Sequence, residues 1–328
     1  MSAPAFGRRP PRYRLPAELR LGAVRLQVAD LDRSLRWYTD VLGFQPLERT
    51  PGRALLGAAD RVPLVELVEL AGARPAPRRG RLGLYHFAIL VPDRASLGRL
   101  VAHLARIGAR AGSADHLVSE ALYLTDPDGL GIEVYADRPR DTWSVRGDEL
   151  VMASNPLDLD DLVRAAGGSP WTGLPAGTTV GHVHLHVADL DAASRFYHEA
   201  LGLDAVVFSY PGALFLSAGG YHHHLGLNTW AGAGAARPAP GDARLLEWTI
   251  ELPAEELDAA AASLAEAGHE PERTAGGATV TDPWGTAVRL VPSTRRSRAA
   301  PPAPERSFPT ENDSAPPTPP GPRLHHQW

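Results

Sequence analysis

The sequence predicts an α+β chain of four βαβββ modules forming two paired-module domains, and three observations lead there. GAVRLQVADLDRSLRWYTDVLGF at 22–44 returns as GHVHLHVADLDAASRFYHEALGL at 181–203. DPDGLGIEV at 126–134 returns as DPWGTAVRL at 282–290. Within each half the same order of signals also recurs, an alternating strand, a helix closed by glycine, then short strands. Internal repetition on this scale sets architecture before any single element does. The modules run over about 21–71, 82–138, 180–231 and 244–293. The expected organisation is an arm at 1–20, a first domain at 21–138, a connector at 139–179, a second domain at 180–293 and a tail at 294–328.

The basic, Pro-containing arm reads as a loosely tethered surface strand. LGAVRLQV then alternates as a strand does, and Asp30 can cap a helix carrying Leu35, Tyr38 and Leu42 on one face, with Gly43 as its stop. Strands are expected near Gln45–Thr50, Arg53–Leu56 and Pro63–Leu70. The second module opens with the strand YHFAILV. Its helix starts near Asp93, carries Leu97, Leu100, Leu104 and Ile107 at helical spacing, and ends at Gly108. ALYLTD and GIEVYAD follow as strands about the turn Asp126-Pro127-Asp128-Gly129. The connector is irregular, with one short helix at Leu157–Ala166. The tail is rich in proline and poor in apolar residues, so disorder is expected there, and its pair His325 and His326 is read as incidental.

The chain is 44% hydrophobic and 22% charged with a formal net charge of -5, which gives no basic footprint for nucleic acid. Small molecules are the expected partners. There is no cysteine, so a metal would have to be held by His, Asp or Glu. The N-terminal stretch lacks the apolar core of a signal peptide, and no run approaches the roughly 18 residues of a membrane span. A cytoplasmic protein, with no membrane partner, is expected.

Equivalent module positions can be compared within this one sequence. The opening-strand position is Ala23, His86, His182 and Glu247 in modules one to four; the last-strand position is Glu66, Glu133, Gly226 and Arg289. Pairing module two with three brings together His86, Glu133 and His182, with Gly226 leaving room beside them. Two imidazoles and a carboxylate form the set that holds iron(II) on one face and leaves the other open. Modules one and four would then carry no site. Pairing one with two and three with four would instead divide the histidines; the first arrangement is favoured because it unites them. A lone strand histidine is more often a satisfied structural residue, but two at one module position with a glutamate at the other reverse that expectation. In Tyr221-His222-His223-His224, adjacent strand residues point to opposite faces, so at most two reach a common site. His184 and His186 share the face of His182 and could lie around it.

These residues resemble a known family. The pattern D-L-x-x-S-x-x-F/Y-Y-x-x-x-L-G at Asp30–Gly43, and at Asp189–Gly202 with Ala193 for the serine, is similar to the vicinal oxygen chelate (glyoxalase/bleomycin resistance/extradiol dioxygenase) superfamily. GLYHFAILVPD, HLVSEALYLTDPDGLGIEVYADRPRDTW, GHVHLHVADL and GGYHHHLGLNTW look like two-domain bacterial catechol 2,3-dioxygenases, over about residues 20–293. The resemblance implies an extradiol ring-cleaving dioxygenase acting on a small aromatic diol and O2, with Fe(II), or alternatively Mn(II), on His86, Glu133 and His182. It also implies His223 as acid and base, and Tyr123 and His116 as hydrogen-bonding catalytic residues. A homo-oligomer is compatible with it. Relatives in the superfamily widen the field to a glyoxalase-like isomerase, a thiol transferase, or a metal-free binding or resistance protein. One departure stands out: many extradiol enzymes ligate metal from their two C-terminal modules, whereas module four here offers Glu247 and Arg289.

Overall fold

The computed structural model describes residues 6–77 and 79–293. Module one comprises β1 (Arg20–Val28), α1 (Leu31–Asp40), β2 (Gln45–Thr50), β3 (Arg53–Gly57) and β4 (Pro63–Glu69). Asp30 caps α1 by accepting from the Arg33 amide, which satisfies one of the free N–H groups of the first turn. Module two comprises β5 (Gly83–Leu90), α2 (Arg94–Ile107), β6 (Gly112–Asp115), β7 (Ser119–Thr125) and β8 (Gly131–Asp137). Asp93 caps α2, and Gly108, at φ 69°, ends it in the left-handed conformation glycine adopts without cost. Two expectations fail locally. Ile107 is 40% exposed, because the buried stripe of α2 stops at Leu104. The edge strand β6 escaped sequence reading because GSAD is short and polar.

The connector carries the small hairpin β9 (Val145–Arg146) and β10 (Glu149–Leu150), then α3 (Leu159–Ala165), capped by Asp158. Module three comprises β11 (Thr179–His186), α4 (Leu190–Ala193) continuing into a π-helical stretch at Ser194–Ala200, β12 (Asp204–Val207), β13 (Ala213–Ser217) and β14 (Leu225–Asn228). Module four comprises β15 (Arg244–Leu252), α5 (Leu257–Glu266), β16 (Glu272–Thr274), β17 (Gly277–Thr281) and β18 (Ala287–Pro292).

Each of the two eight-stranded sheets takes one module from each half of the sequence. One runs β16-β17-β18-β15-β1-β4-β3-β2 and the other β12-β13-β14-β11-β5-β8-β7-β6. Module one is thus continuous with module four, and two with three, through the antiparallel pairs β1/β15 and β5/β11. Within each sequence half a repeated contact ties one sheet to the other. Tyr38 of module one donates to the buried Asp126 of module two at 3.3 Å, and Tyr197 of module three donates to Asp282 of module four at 2.8 Å. Each aspartate also accepts two amides of its own turn, as Asp126 does from Asp128 and Leu130.

The arm is pinned rather than loosely tethered. Arg14 makes a two-pronged contact with Asp204, Tyr13 donates to Glu256 at 2.9 Å, and Leu15 and Leu19 are buried in the core. The tail at 294–328, with His325 and His326, lies outside the described residues. No helix among the described residues is long and apolar enough to cross a membrane.

Candidate active site

Strand register assembles the site from the sheet of modules two and three. Tyr123 on β7 faces Glu133 on β8, Glu133 neighbours Ala88 on β5, and Ala88 neighbours His182 on β11. The small side chain of Ala88 stands between the carboxylate and one imidazole. His86, two residues before it on the same strand face, supplies the other. A register shift in β11 falls between Val180 and His182, at Gly181, where an added Cβ would lie 1.8 Å from the Tyr135 hydroxyl. Such a bulge beside a site re-aims the next side chain, here His182.

His86, Glu133 and His182 each offer a ligand atom within 4.8 Å of the others, and all three are buried. Nε2 of both histidines lies at Glu133 Oε2, at 3.0 Å for His86 and 3.1 Å for His182. Only His182 makes a well-formed hydrogen bond there; His86 Nε2 is buried without one. A buried nitrogen beside a carboxylate with no hydrogen-bond partner of its own suits a metal ligand. Burial pushes both imidazoles below the usual histidine range, despite Glu133. Burial alone would raise the Glu133 carboxyl, but His182 and His86 outweigh it and hold that group well below the usual range. Neutral imidazoles and an ionised carboxylate are the forms that bind a metal. The triad therefore fits a metal site, and it is the group of this kind found among the described residues.

A cavity of about 170 Å³ opens beside the triad, lined by His86 and Glu133 and walled by Tyr85, Met152, Phe215 and Trp230, among others. His116, Tyr123 and His223 also line it, so the three residues expected to flank the metal face one space. The Ala153 carbonyl can only accept, so His116 Nδ1–H donates to it at 2.7 Å. His116 Nε2 then accepts from the Tyr123 hydroxyl at 2.5 Å. Burial keeps that hydroxyl well above the usual tyrosine range, hence protonated. His223 stacks on His182 with ring centroids 4.1 Å apart.

The histidine run divides as strand geometry predicts. His223 reaches the cavity, while His222 is fully buried and reaches Asp137. His224 accepts from the Ala218 amide at 3.2 Å and is lowered to about 3 by burial. Gly226 corrects an expectation: an added Cβ would lie 2.8 Å from the His184 ring, so the space it leaves is filled by His184 rather than kept beside the metal ligands. His184 lines the cavity, its Nε2 accepting from Asn228 Nδ2 at 2.9 Å, while His186 donates to Asn228 Oδ1 at 2.6 Å. Sequence reading missed Asn228, although alternation from Gly226 places it on the same face. It also missed Met152, Ala153 and Ser154, because the connector that brings them to the cavity carries no periodic signal.

A model of the Glyoxalase/Bleomycin resistance protein/Dioxygenase superfamily matches residues 20–134 and 179–290. The chain belongs to that superfamily. Over 268 residues it is 48% identical to catechol-2,3-dioxygenase of Bacillus subtilis (strain 168), a match covering 80% of this chain and 93% of that protein. Among solved structures, a Bacillus subtilis protein described as a candidate dioxygenase superposes with TM-score 0.59 at 14% identity, covering 86% of this chain and 87% of that one. Glyoxalase I of Zea mays superposes with TM-score 0.51 at 21% identity, covering 84% and 92%. At these identities both likenesses concern the superfamily fold alone. In the other sheet, of modules one and four, the equivalent positions are Ala23, which offers no ligand, and charged residues held in ion pairs. Glu66 pairs with Arg25 and Arg53, and Glu247 lies 3.9 Å from Arg289.

Proposed function

We propose that the protein is an extradiol ring-cleaving dioxygenase that uses iron(II) on His86, Glu133 and His182 to insert O2 into catechol or a substituted catechol. The observation that carries this reading is the buried His-His-Glu triad bordering a cavity that His223, Tyr123 and His116 share. The 48% identical relative named catechol-2,3-dioxygenase supports the same chemistry. The cavity size agrees with a single-ring substrate, since a dry cavity of about 150 Å³ takes up benzene. Aromatic walls exclude water and stack on a ring.

Bound at the triad, iron(II) would act as a Lewis acid toward the two phenolic oxygens and as the redox partner of O2. The chain's own residues divide the remaining work. His223, kept neutral by burial, takes a proton from a phenolic hydroxyl and returns it later to an oxygen derived from O2. Tyr123, whose hydroxyl proton is held by His116, offers its oxygen as a hydrogen-bond acceptor to a hydroxyl in the cavity. Phe215 and Trp230 hold the ring against the triad.

The test is oxygen uptake recorded with near-visible absorbance after anaerobic loading with iron(II) and addition of catechol. One O2 consumed per catechol, with a yellow ring-opened product, is expected. Iron retained with no uptake on catechol or its alkyl and halogen derivatives would overturn the reading.

A further inference from the structure

We infer that Asp137 and His222 are positioning residues that set the tautomer of His223, so that its Nε2 meets the substrate as a bare acceptor. The inference rests on the proposed role of His223. It follows from hydrogen-bond polarity across two modules. Asp137 ends β8 of module two, and His222 lies in the loop before β14 of module three. His222 Nε2 lies 3.0 Å from Asp137 Oδ1, and His222 Nδ1 lies 2.7 Å from His223 Nδ1. A carboxylate only accepts, so Nε2 of His222 carries the proton. In a neutral ring His222 Nδ1 is then bare, and the one hydrogen that can occupy the 2.7 Å contact is that on His223 Nδ1. His223 Nε2 is left without a proton, on a residue that lines the cavity.

The surroundings hold this polarity. Tyr221 donates to the same Asp137 oxygen at 3.1 Å and accepts from Tyr135 at 2.6 Å, so a chain of two hydroxyls ends on the carboxylate. His222 is fully buried and packed between Tyr135 at 5.8 Å, Trp143 at 5.5 Å and Tyr221 at 4.1 Å between ring centroids. When His223 takes a proton from the substrate on Nε2, its Nδ1–H stays bonded to His222 and the new charge faces Asp137 through that ring. No atom of Asp137 or His222 touches the reacting centre in this scheme.

Two readouts test it on the full-length chain. Long-range proton–nitrogen correlation spectra of nitrogen-15-labelled protein, loaded with diamagnetic zinc(II), report the tautomer directly. The His223 ring should be protonated on Nδ1 in the unaltered protein and shift toward the Nε2–H form in Asp137→Asn. With iron(II), kcat should fall about 10- to 100-fold in Asp137→Asn and His222→Leu, at unchanged KM and iron content. His222→Gln, whose amide can donate to Asp137 and accept from His223, should restore most of the rate. A Nε2–H tautomer in the unaltered protein overturns the inference whatever the activity. So does an unchanged kcat in His222→Leu while His223→Phe is inactive, and that outcome leaves the dioxygenase reading standing. Normal turnover in His223→Phe would remove the base assigned above and this inference with it.

Discussion

Three side chains make up the proposed metal site, and each is buried where an unpaired charge or nitrogen is costly. His182→Ala and Glu133→Ala are each expected to abolish iron retention, read by metal analysis after gel filtration, because either change leaves two ligands of three. His223→Phe should keep its iron and lose about 10²- to 10⁴-fold in kcat, the usual contribution of a placed acid–base group. Retained turnover there would sink the role of His223. Much of this was legible in residues alone: His86 and His182 share a module position, and Glu133 stands where an inward carboxylate needs a partner. Asn228 and Asp137 were not legible as parts of the site. Each is one polar residue at a strand end, and its meaning depends on a histidine from another strand or module.

Elements place these groups, and β14 does so by what it lacks. Gly226 lies across from His184 in the parallel pair of β11 with β14, and the imidazole occupies the space a Cβ would need. Gly226→Ala should displace that ring, a cavity wall, and lower kcat/KM by about 10- to 100-fold with iron content intact. An unchanged kcat/KM would show that the ring's position is immaterial. The arm acts on stability instead. Its Arg14 satisfies Asp204, a carboxylate whose side chain is only 6% exposed. Arg14→Ala is expected to cost about 1–3 kcal/mol in denaturant unfolding, the penalty of a buried acceptor left unpaired. The helix α1 was legible from Asp30 to its last turn, whereas its repeat after Asp189 passes from α4 into a π-helical turn. The pattern D-L-x-x-S-x-x-F/Y-Y is compatible with either winding, so spacing could not separate them.

On the scale of the whole molecule, the two sheets meet through Tyr38 with Asp126 and Tyr197 with Asp282. Burial pushes the Asp126 carboxyl up to about 7 and raises Asp282 as well. A carboxyl raised on folding binds its proton more tightly in the native state. The stability it adds is therefore complete below about pH 4 and is lost as pH rises through about 7. Asp126→Asn mimics the protonated form, so its stability relative to the unaltered protein should rise between pH 5 and pH 8. Denaturant titrations at the two pH values check this, and a difference independent of pH would refute it. Sequence by itself determined the four modules, their helix caps, the turn aspartates and the residues able to hold a metal, because repetition, periodicity and capping are local and survive in one dimension. Only tertiary structure decided that module two joins module three, that the connector's Met152 and Ala153 border the cavity, and that His184 fills the space at Gly226. Those outcomes depend on which strand edges pair across long stretches of chain, as β5 and β11 do from either side of residues 91–178, and local propensity carries no record of that choice.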